Sequence, residues 1–167
     1  MLRQALRAVA CMAAHEEEGC VDMSSPAAAS AGYSGTPLPK KLGIKDTSTV
    51  TIVGGPAPAL PVSPTAGAAP WDVVQAFVTM AADLRASIAG WSSLITPDGG
   101  LWICWPKKTA RKLVPAFAKS DMTEDVVREV VLPIGLVDNK VCAVDAVWSG
   151  LRVVWRVEVR ASRRAAL

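Results

Sequence analysis

Histidine is nearly absent from this 167-residue chain, and tyrosine and phenylalanine are scarce. The single histidine, His15, precedes the first segment with the pattern of a folded element, which argues against a His-dependent catalytic triad or a His-ligated zinc site. One Tyr and two Phe leave few rings for base stacking, and a sequence pI near 8.8 is low for a nucleic-acid-binding domain. We therefore expect no metal site and no nucleic-acid partner.

The chain also lacks closely spaced cysteines and long apolar runs. Its four cysteines form no C-x-x-C pair, and Cys104 and Cys142 fall in apolar, strand-like stretches, so we expect them to be small buried hydrophobes. That usage is typical of a reducing cytoplasm. No run of about 18 apolar residues is present, so we expect no membrane span and a cytoplasmic location.

Apolar residues make up 51% of the sequence, enough for the core of one domain at this length. Charge is uneven: residues 1–30 carry a net −2, residues 31–105 are neutral, and residues 106–167 carry +5. We expect a flexible N-terminal extension over residues 1–32, a single α/β domain over 33–160, and a basic C-terminal tail over 161–167. The basic excess could meet a phosphate or an acidic surface, or simply be solvated.

The first half of the domain predicts a strand, an irregular loop, and a strand–helix–strand unit. Residues 56–70 hold five of the twelve prolines, which is typical of a loop. The elements are a strand at Ser48–Val53, a buried strand at Trp71–Met80, a helix at Ala81–Leu94, a turn at Thr96–Gly100 and a strand from Leu101. We expect the last two strands to be parallel.

The second half predicts a helix over residues 121–135, capped by Thr123. A strand at Val137–Val147, a tight turn at Trp148–Gly150 and a half-exposed strand at Leu151–Val159 then predict a terminal hairpin. This order is typical of a three-layer, Rossmann-like α/β domain with a mainly parallel sheet and a C-terminal antiparallel hairpin.

The segments WDVVQAFVTM…LITPDGGLWICW and GLVDNKVCAVDAVWSGLRVVWR resemble the later strands and closing hairpin of a class I methyltransferase fold. The chain is too short between Gly55 and Trp71 for that fold's second and third strands. The resemblance implies a glycine-rich cofactor loop at Gly54 and Gly55, for which the alternative is a plain turn, and the acidic residue that would bind the ribose has no counterpart. We therefore expect no cofactor, with S-adenosylmethionine or a nucleotide as the alternative.

A second resemblance covers residues 33 to about 156. The phrases YSGTPLPKKLGIK, DVV…FV, GGLWICWPKK, TEDVVRE, GLVDNKVCAVD and WSGLR together are similar to a bacterial family known as domain of unknown function 3052 (DUF3052). That resemblance implies the same fold and a bacterial origin, and it supplies no activity.

The first candidate ligand site is Trp105 to Lys108, at the end of a predicted parallel strand, where doubly wound folds place their pockets. An aromatic ring beside Lys107 and Lys108 suits a phosphorylated or carboxylated molecule. The alternative is a strand that ends in a solvated basic loop.

Two further clusters are weaker candidates. An arm with Tyr33, Thr36, Lys40 and Lys41 could bring its lysines to the same pocket mouth, or only cover apolar surface. The last cluster predicts mainly hairpin structure, with Asp145 pairing Lys140 or Arg152; its members are Asp138, Asn139, Lys140, Asp145, Trp148 and Ser149.

Acid–base chemistry could use Glu124, Asp125 or Asp145, but the first two are better explained as charges in a first helical turn. No catalytic residue emerges from spacing alone. We expect a non-catalytic binding or regulatory domain whose partner is a small molecule or a protein. The alternative is a small methyltransferase or other transferase acting on a phosphorylated or nucleotide-like molecule, and a third class is an assembly protein that pairs through an exposed strand at Leu151–Val159.

Overall fold

Five β-strands form one mixed sheet in the computed structural model, which describes residues 35–58 and 61–166. The expected extension over residues 1–32 and the candidate residue Tyr33 lie outside the described residues. The strands are β1 (Val50–Gly54), β2 (Trp71–Phe77), β3 (Ile95–Pro106), β4 (Leu136–Ala143) and β5 (Trp148–Trp155). The described part of the segment between β1 and β2 contains neither helix nor strand, in agreement with its many prolines.

Helices precede, separate and follow these strands along the chain. They are α1 (Leu38–Leu42), α2 (Ala81–Ser93), α3 (Lys108–Leu113), α4 (Glu124–Val131) and α5 (Val157–Ala165). Two short 3₁₀ turns, Pro115–Phe117 and Leu132–Ile134, follow α3 and α4. The Thr123 hydroxyl accepts a hydrogen bond from the Val126 amide at 3.2 Å, so the predicted cap of α4 is confirmed.

The strand order across the sheet is β1-β2-β3-β5-β4. β1, β2 and β3 run parallel, and β5 runs antiparallel to both of its neighbours, β3 and β4. The predicted α/β class and the parallel strand–helix–strand unit are therefore confirmed, in a sheet of mixed direction.

Apolar side chains cover both faces of the sheet. On one face, Leu84 and Ile88 of α2 and Val127 and Val131 of α4 pack on alternate residues of the central strands. On the other face, Leu42 of α1 joins a second cluster. That cluster contains Val50, Val73, Phe77, Trp102, Cys104, Val144 and Trp148.

The turn predicted at Thr96–Gly100 is wrong, because these residues belong to β3. Trp71 is opposite Ile95 and Val73 is opposite Gly100, so β3 bulges here and then continues in the same direction. A Cβ on Gly99 would lie 2.9 Å from the carbonyl oxygens of Trp71 and Asp72. The glycine thus lets the bulge approach the neighbouring backbone rather than reverse the chain.

The predicted terminal hairpin is also displaced. Trp148, Ser149 and Gly150 open β5 instead of forming a turn, and the chain reverses just before them, after β4. The Asp145 carboxylate stabilises that reversal by accepting from the Val147 and Trp148 amides at 2.7 and 2.6 Å.

The segment Leu151–Val159 is not an exposed edge strand. Its first part belongs to β5, which lies between β3 and β4, and residues 157–159 begin α5. Leu151 and Val153 are fully buried because both flanking strands and the packed helices cover them. Because both sides of β5 are paired, this strand has no free edge that could pair with another chain.

Helix α5 includes residues 161–165, which we expected to be a basic tail. Arg164 donates from Nε to the Asp98 carboxylate at 3.0 Å, and Arg160 lies 3.8 Å from the same group. Arg163 stacks its guanidinium over the Trp155 ring at 4.3 Å. These contacts attach α5 to the start of β3 and the end of β5.

No helix among residues 35–58 and 61–166 has the length and apolar character needed to cross a membrane.

The contact between Asp98 and α5 predicts a dependence of stability on pH. Arg164 beside Asp98 lowers the pKa of that carboxyl below its ordinary 3.8. The contact therefore stabilises the fold above the ordinary pKa, and the stabilisation is lost as pH falls through the lower folded value. Urea unfolding of wild type and Asp98→Asn across this range should show a wild-type advantage at neutral pH that shrinks in acid. An advantage that stays constant to the lowest pH would contradict this assignment.

A second prediction concerns the start of α2, where Met80 supplies no capping side chain. Asp121, forty residues later, instead accepts from the Ala81 amide at 2.7 Å. Asp121→Ala should lower the free energy of unfolding by about 1 kcal/mol, the usual cost of losing a helix cap. Asp46→Ala, at an exposed position, is the control and should change little. Equal effects of the two variants in urea unfolding would show that the cap is unimportant.

Candidate functional site

A cavity of about 460 Å³ opens where β3 ends, at the carboxyl end of the parallel strands. It contains the first candidate cluster, Trp105 with Lys107 and Lys108, and brings residues of α4, β4 and β5 to them. The remaining lining residues are Arg111, Met122, Thr123, Glu124, Asp125, Val141 and Ser149.

The sheet supplies the base of this cavity. Trp105 and Ser149 are paired across β3 and β5, and Val141 lies on the next strand, β4. Trp105 is 6% exposed, so most of its ring packs in the core while its remaining surface faces the cavity. Val141 is 57% exposed and adds an apolar patch beside it.

One wall is the turn from β3 into α3. The Lys107 amide donates to the Val147 carbonyl at 2.8 Å, and its ammonium Nζ donates to the Asp145 carbonyl at 2.6 Å. Both bonds join this wall to the β4–β5 reversal. Lys108, the first residue of α3, is exposed at the cavity wall.

Arg111 connects this wall to the opposite one. Its guanidinium donates from Nε to the Pro106 carbonyl at 3.1 Å, from one terminal nitrogen to the Ser120 carbonyl at 2.9 Å, and from the other to the Met122 carbonyl. All three acceptors are neutral backbone oxygens. Arg111 follows Lys107 by four residues, a helical spacing that could have placed it beside the lysines from sequence alone.

The opposite wall is the segment from Met122 into α4. Asp121 and Thr123 hold this segment by capping α2 and α4 respectively. Glu124 and Asp125 are the first residues of α4 and bring two carboxylates into the cavity lining. Sequence reasoning considered these two as helix charges and did not place them opposite the lysines, because only the packing of α4 on α2 brings them there.

The second candidate cluster does not line this cavity. Its Lys41 lies on α1 next to Leu42, which packs in the apolar cluster on the other face of the sheet. Burial raises the pKa of the half-buried Cys142 thiol, and the positive charges of Lys41 and Lys107 partly offset that rise. Lys40 is exposed on α1 and Thr36 is half-buried, and neither lines the cavity.

The last candidate cluster separates into several roles. Asp138 accepts from Arg128 at 3.1 Å, and Asn139 accepts from Arg152 at 3.4 Å. The predicted ion pair of Asp145 with Lys140 or Arg152 does not form, because the Asp145 carboxylate accepts from amides of its own turn.

The other members divide between solvent, core and cavity. Lys140 is exposed on β4. Trp148 packs edge-to-face on Phe77 and Phe117 in the core. Ser149 alone of this cluster lines the cavity.

Gly54 and Gly55 end β1 and do not line this cavity. Gly54 has φ +72°, and a Cβ there would lie 2.3 Å from the Phe77 carbonyl oxygen. The Gly55 amide already donates to that oxygen at 3.0 Å. Close packing of β1 on β2 therefore explains Gly54, whereas a Cβ on Gly55 would meet only the Ala57 amide nitrogen at 3.9 Å. A ligand at this turn stays a prediction.

In the cavity lining, no hydrogen bond links a hydroxyl to a carboxylate, an arrangement that activates a nucleophile. Burial raises the pKa of the nearby Cys104 thiol well above its ordinary value, which keeps it protonated. Residues 35–58 and 61–166 contain no group of three or more metal-ligating side chains.

Comparison with solved structures finds partial likenesses only. No protein-family model matches the chain, so its resemblance to DUF3052 stays a prediction, and no curated protein matches it. A solved structure of a ribosomal protein L11 methylase from Lactobacillus delbrueckii subsp. bulgaricus superposes with a TM-score of 0.34 and 13% identity. The alignment covers 53% of this chain and 38% of the methylase, and it indicates no shared activity.

Arg111 provides a test of how the cavity is built. Arg111→Lys keeps the positive charge, but one ammonium cannot reach three carbonyls spread over Pro106, Ser120 and Met122. We expect the free energy of unfolding to fall by about 1.5–3 kcal/mol, the range for hydrogen bonds from a charged group. Lys112→Ala, on the same helix but outside the lining, is the control in urea unfolding. A lysine variant as stable as wild type would show that charge alone suffices.

Proposed function

We propose that this protein is a non-catalytic, Rossmann-like binding domain that holds a small charged molecule in the Trp105 cavity. The observation that carries the proposal is the meeting of Trp105, Lys107, Lys108 and Arg111 in one cavity at the carboxyl end of β3. Doubly wound α/β folds bind their ligands at this end of the sheet, so position and chemistry agree.

The bound molecule carries at least one anionic group. Lys107 and Arg111 direct their donors to backbone carbonyls, which satisfy hydrogen bonds without neutralising charge. A carboxylate or phosphate beside them would supply the missing negative charge. The cavity is large enough for a metabolite-sized ligand and has an aromatic and aliphatic base for its uncharged part.

The experiment is thermal unfolding of the full chain with S-adenosylmethionine, S-adenosylhomocysteine, ATP, NAD and coenzyme A. A ligand at about 100 times its dissociation constant adds roughly 2.7 kcal/mol, which raises Tm by several degrees in a domain of this size. Isothermal titration of the ligand that shifts Tm then gives the affinity.

Lys108→Ala should weaken that affinity about tenfold, a loss of about 1.4 kcal/mol, because an exposed ammonium at the wall is removed without disturbing the fold. Lys112→Ala, an exposed lysine outside the lining, should bind like wild type. Lys107→Ala is a less specific variant, because it also removes the hydrogen bond from the Lys107 ammonium to the Asp145 carbonyl. Equal affinities of wild type and Lys108→Ala would remove this cavity as the site.

The transferase alternative is tested in the same preparation. Transfer of a labelled methyl group from S-adenosylmethionine to an acceptor would replace the binding proposal with an enzymatic one. Ligand binding with no turnover supports the binding domain.

A further inference from the structure

The cavity is lined by charged residues of both signs. Lys107, Lys108 and Arg111 line it at the turn from β3 into α3, and Glu124 and Asp125 line it at the start of α4. A ligand between these walls meets positive charge on one side and negative charge on the other. A purely anionic ligand would be repelled by the second wall.

The two carboxylates are only partly neutralised by the protein. A single guanidinium, Arg128, faces three carboxylates: Asp138 at 3.1 Å, Asp125 at 3.4 Å and Glu124 at 3.8 Å. Asp138 is the nearest of the three, and its hydrogen bond raises the pKa of Arg128. Asp125 is 94% exposed at its side chain, and one charge cannot balance all three carboxylates.

The cations on the other wall are likewise not paired with carboxylates. Arg111 and Lys107 donate to backbone carbonyls, and among the described residues neither takes part in a salt bridge. Arg111 has five N–H groups, of which three reach protein carbonyls, so donors remain for a ligand.

We infer that the ligand of this cavity is a zwitterion of the amino-acid type, with its anionic group toward Lys108 and Arg111 and its ammonium toward Glu124 and Asp125. The inference rests on the proposed function and adds the ligand class. Trp105, Met122 and Val141 provide apolar surface for the body of such a molecule. Each ligand charge then meets a protein charge of opposite sign that the fold leaves incompletely compensated.

The test uses two sets of three molecules. Within a set the molecules share one apolar body and differ in whether they carry a carboxylate, an ammonium or both. One set is tryptophan, indole-3-propionate and tryptamine; the other is leucine, 4-methylpentanoate and isoamylamine. Isothermal titration or NMR titration of the full chain should show the amino acid of at least one set binding about tenfold or more tighter than its anionic and cationic counterparts. Using both sets covers a large and a small ligand body.

Variants test which residues of the cavity bind the anionic group and which bind the ammonium group of the ligand. Asp125→Asn should weaken amino-acid binding several-fold while leaving the anionic counterpart unchanged or tighter. Lys108→Ala should weaken the amino acid and the anion but not the amine. Glu129→Gln, on the same helix but outside the lining, and Lys112→Ala are the matched controls.

The outcomes separate this inference from the proposed function. If the anion binds as well as the amino acid and depends on Lys108, the binding domain stands and the zwitterion is excluded. If the amine binds best, both are overturned. If no molecule of either set binds at millimolar concentration, the zwitterion inference is overturned, and the nucleotide and cofactor titrations decide the proposed function on their own.

Discussion

The guanidinium of Arg111 is the contact on which the architecture of the cavity depends. It joins the last residue of β3 to the segment that leads into α4, through hydrogen bonds to the carbonyls of Pro106, Ser120 and Met122. The Ser120 and Met122 carbonyls belong to irregular backbone, where no helix or strand supplies a partner, and the Pro106 carbonyl lies at the end of its strand. A planar cation with several donors can satisfy them together, and in doing so it keeps its charge beside the cavity.

The segment that leads into α4 is also fixed by two helix caps. Asp121 caps α2, and Thr123 caps α4, so the chain between them has little freedom to move away from the sheet. Arg85 and Glu129 also bridge α2 and α4 at 2.9 Å, although both are exposed and such a pair contributes little. The acidic wall is therefore placed by caps and apolar packing, and the basic wall by continuity with β3.

Much of this protein is visible in local pattern. The apolar runs at Trp71 and Leu101, the helix between them and the Thr123 cap predict elements that the structure contains. The turn residues are less informative, because glycine, proline and aspartate serve bulges as well as reversals. Thr96–Gly100 has the composition of a turn but bulges within β3, whereas the actual reversal after Val144 depends on one aspartate, Asp145.

The position of β5 within the sheet could not be predicted from its sequence periodicity. Alternating arginines predict a half-exposed edge strand, yet β5 lies between β3 and β4. Arg152 is accommodated there because it extends over Gly100, where a Cβ would lie 2.4 Å from its Nε. Long arginine side chains can reach outward from a covered strand, so a charged residue in a strand does not by itself indicate an edge.

The sequence by itself determined the α/β class, the parallel unit around α2 and the clustering of Trp105, Lys107 and Lys108, because each depends on residues that are neighbours along the chain. Only the tertiary structure decided that Arg111 would clamp a distant loop and that Glu124 and Asp125 would face the lysines. Those relations join residues separated along the chain, and they follow from the packing of α4 against α2 and the sheet rather than from any local spacing. The charge pattern of the cavity is thus a product of packing.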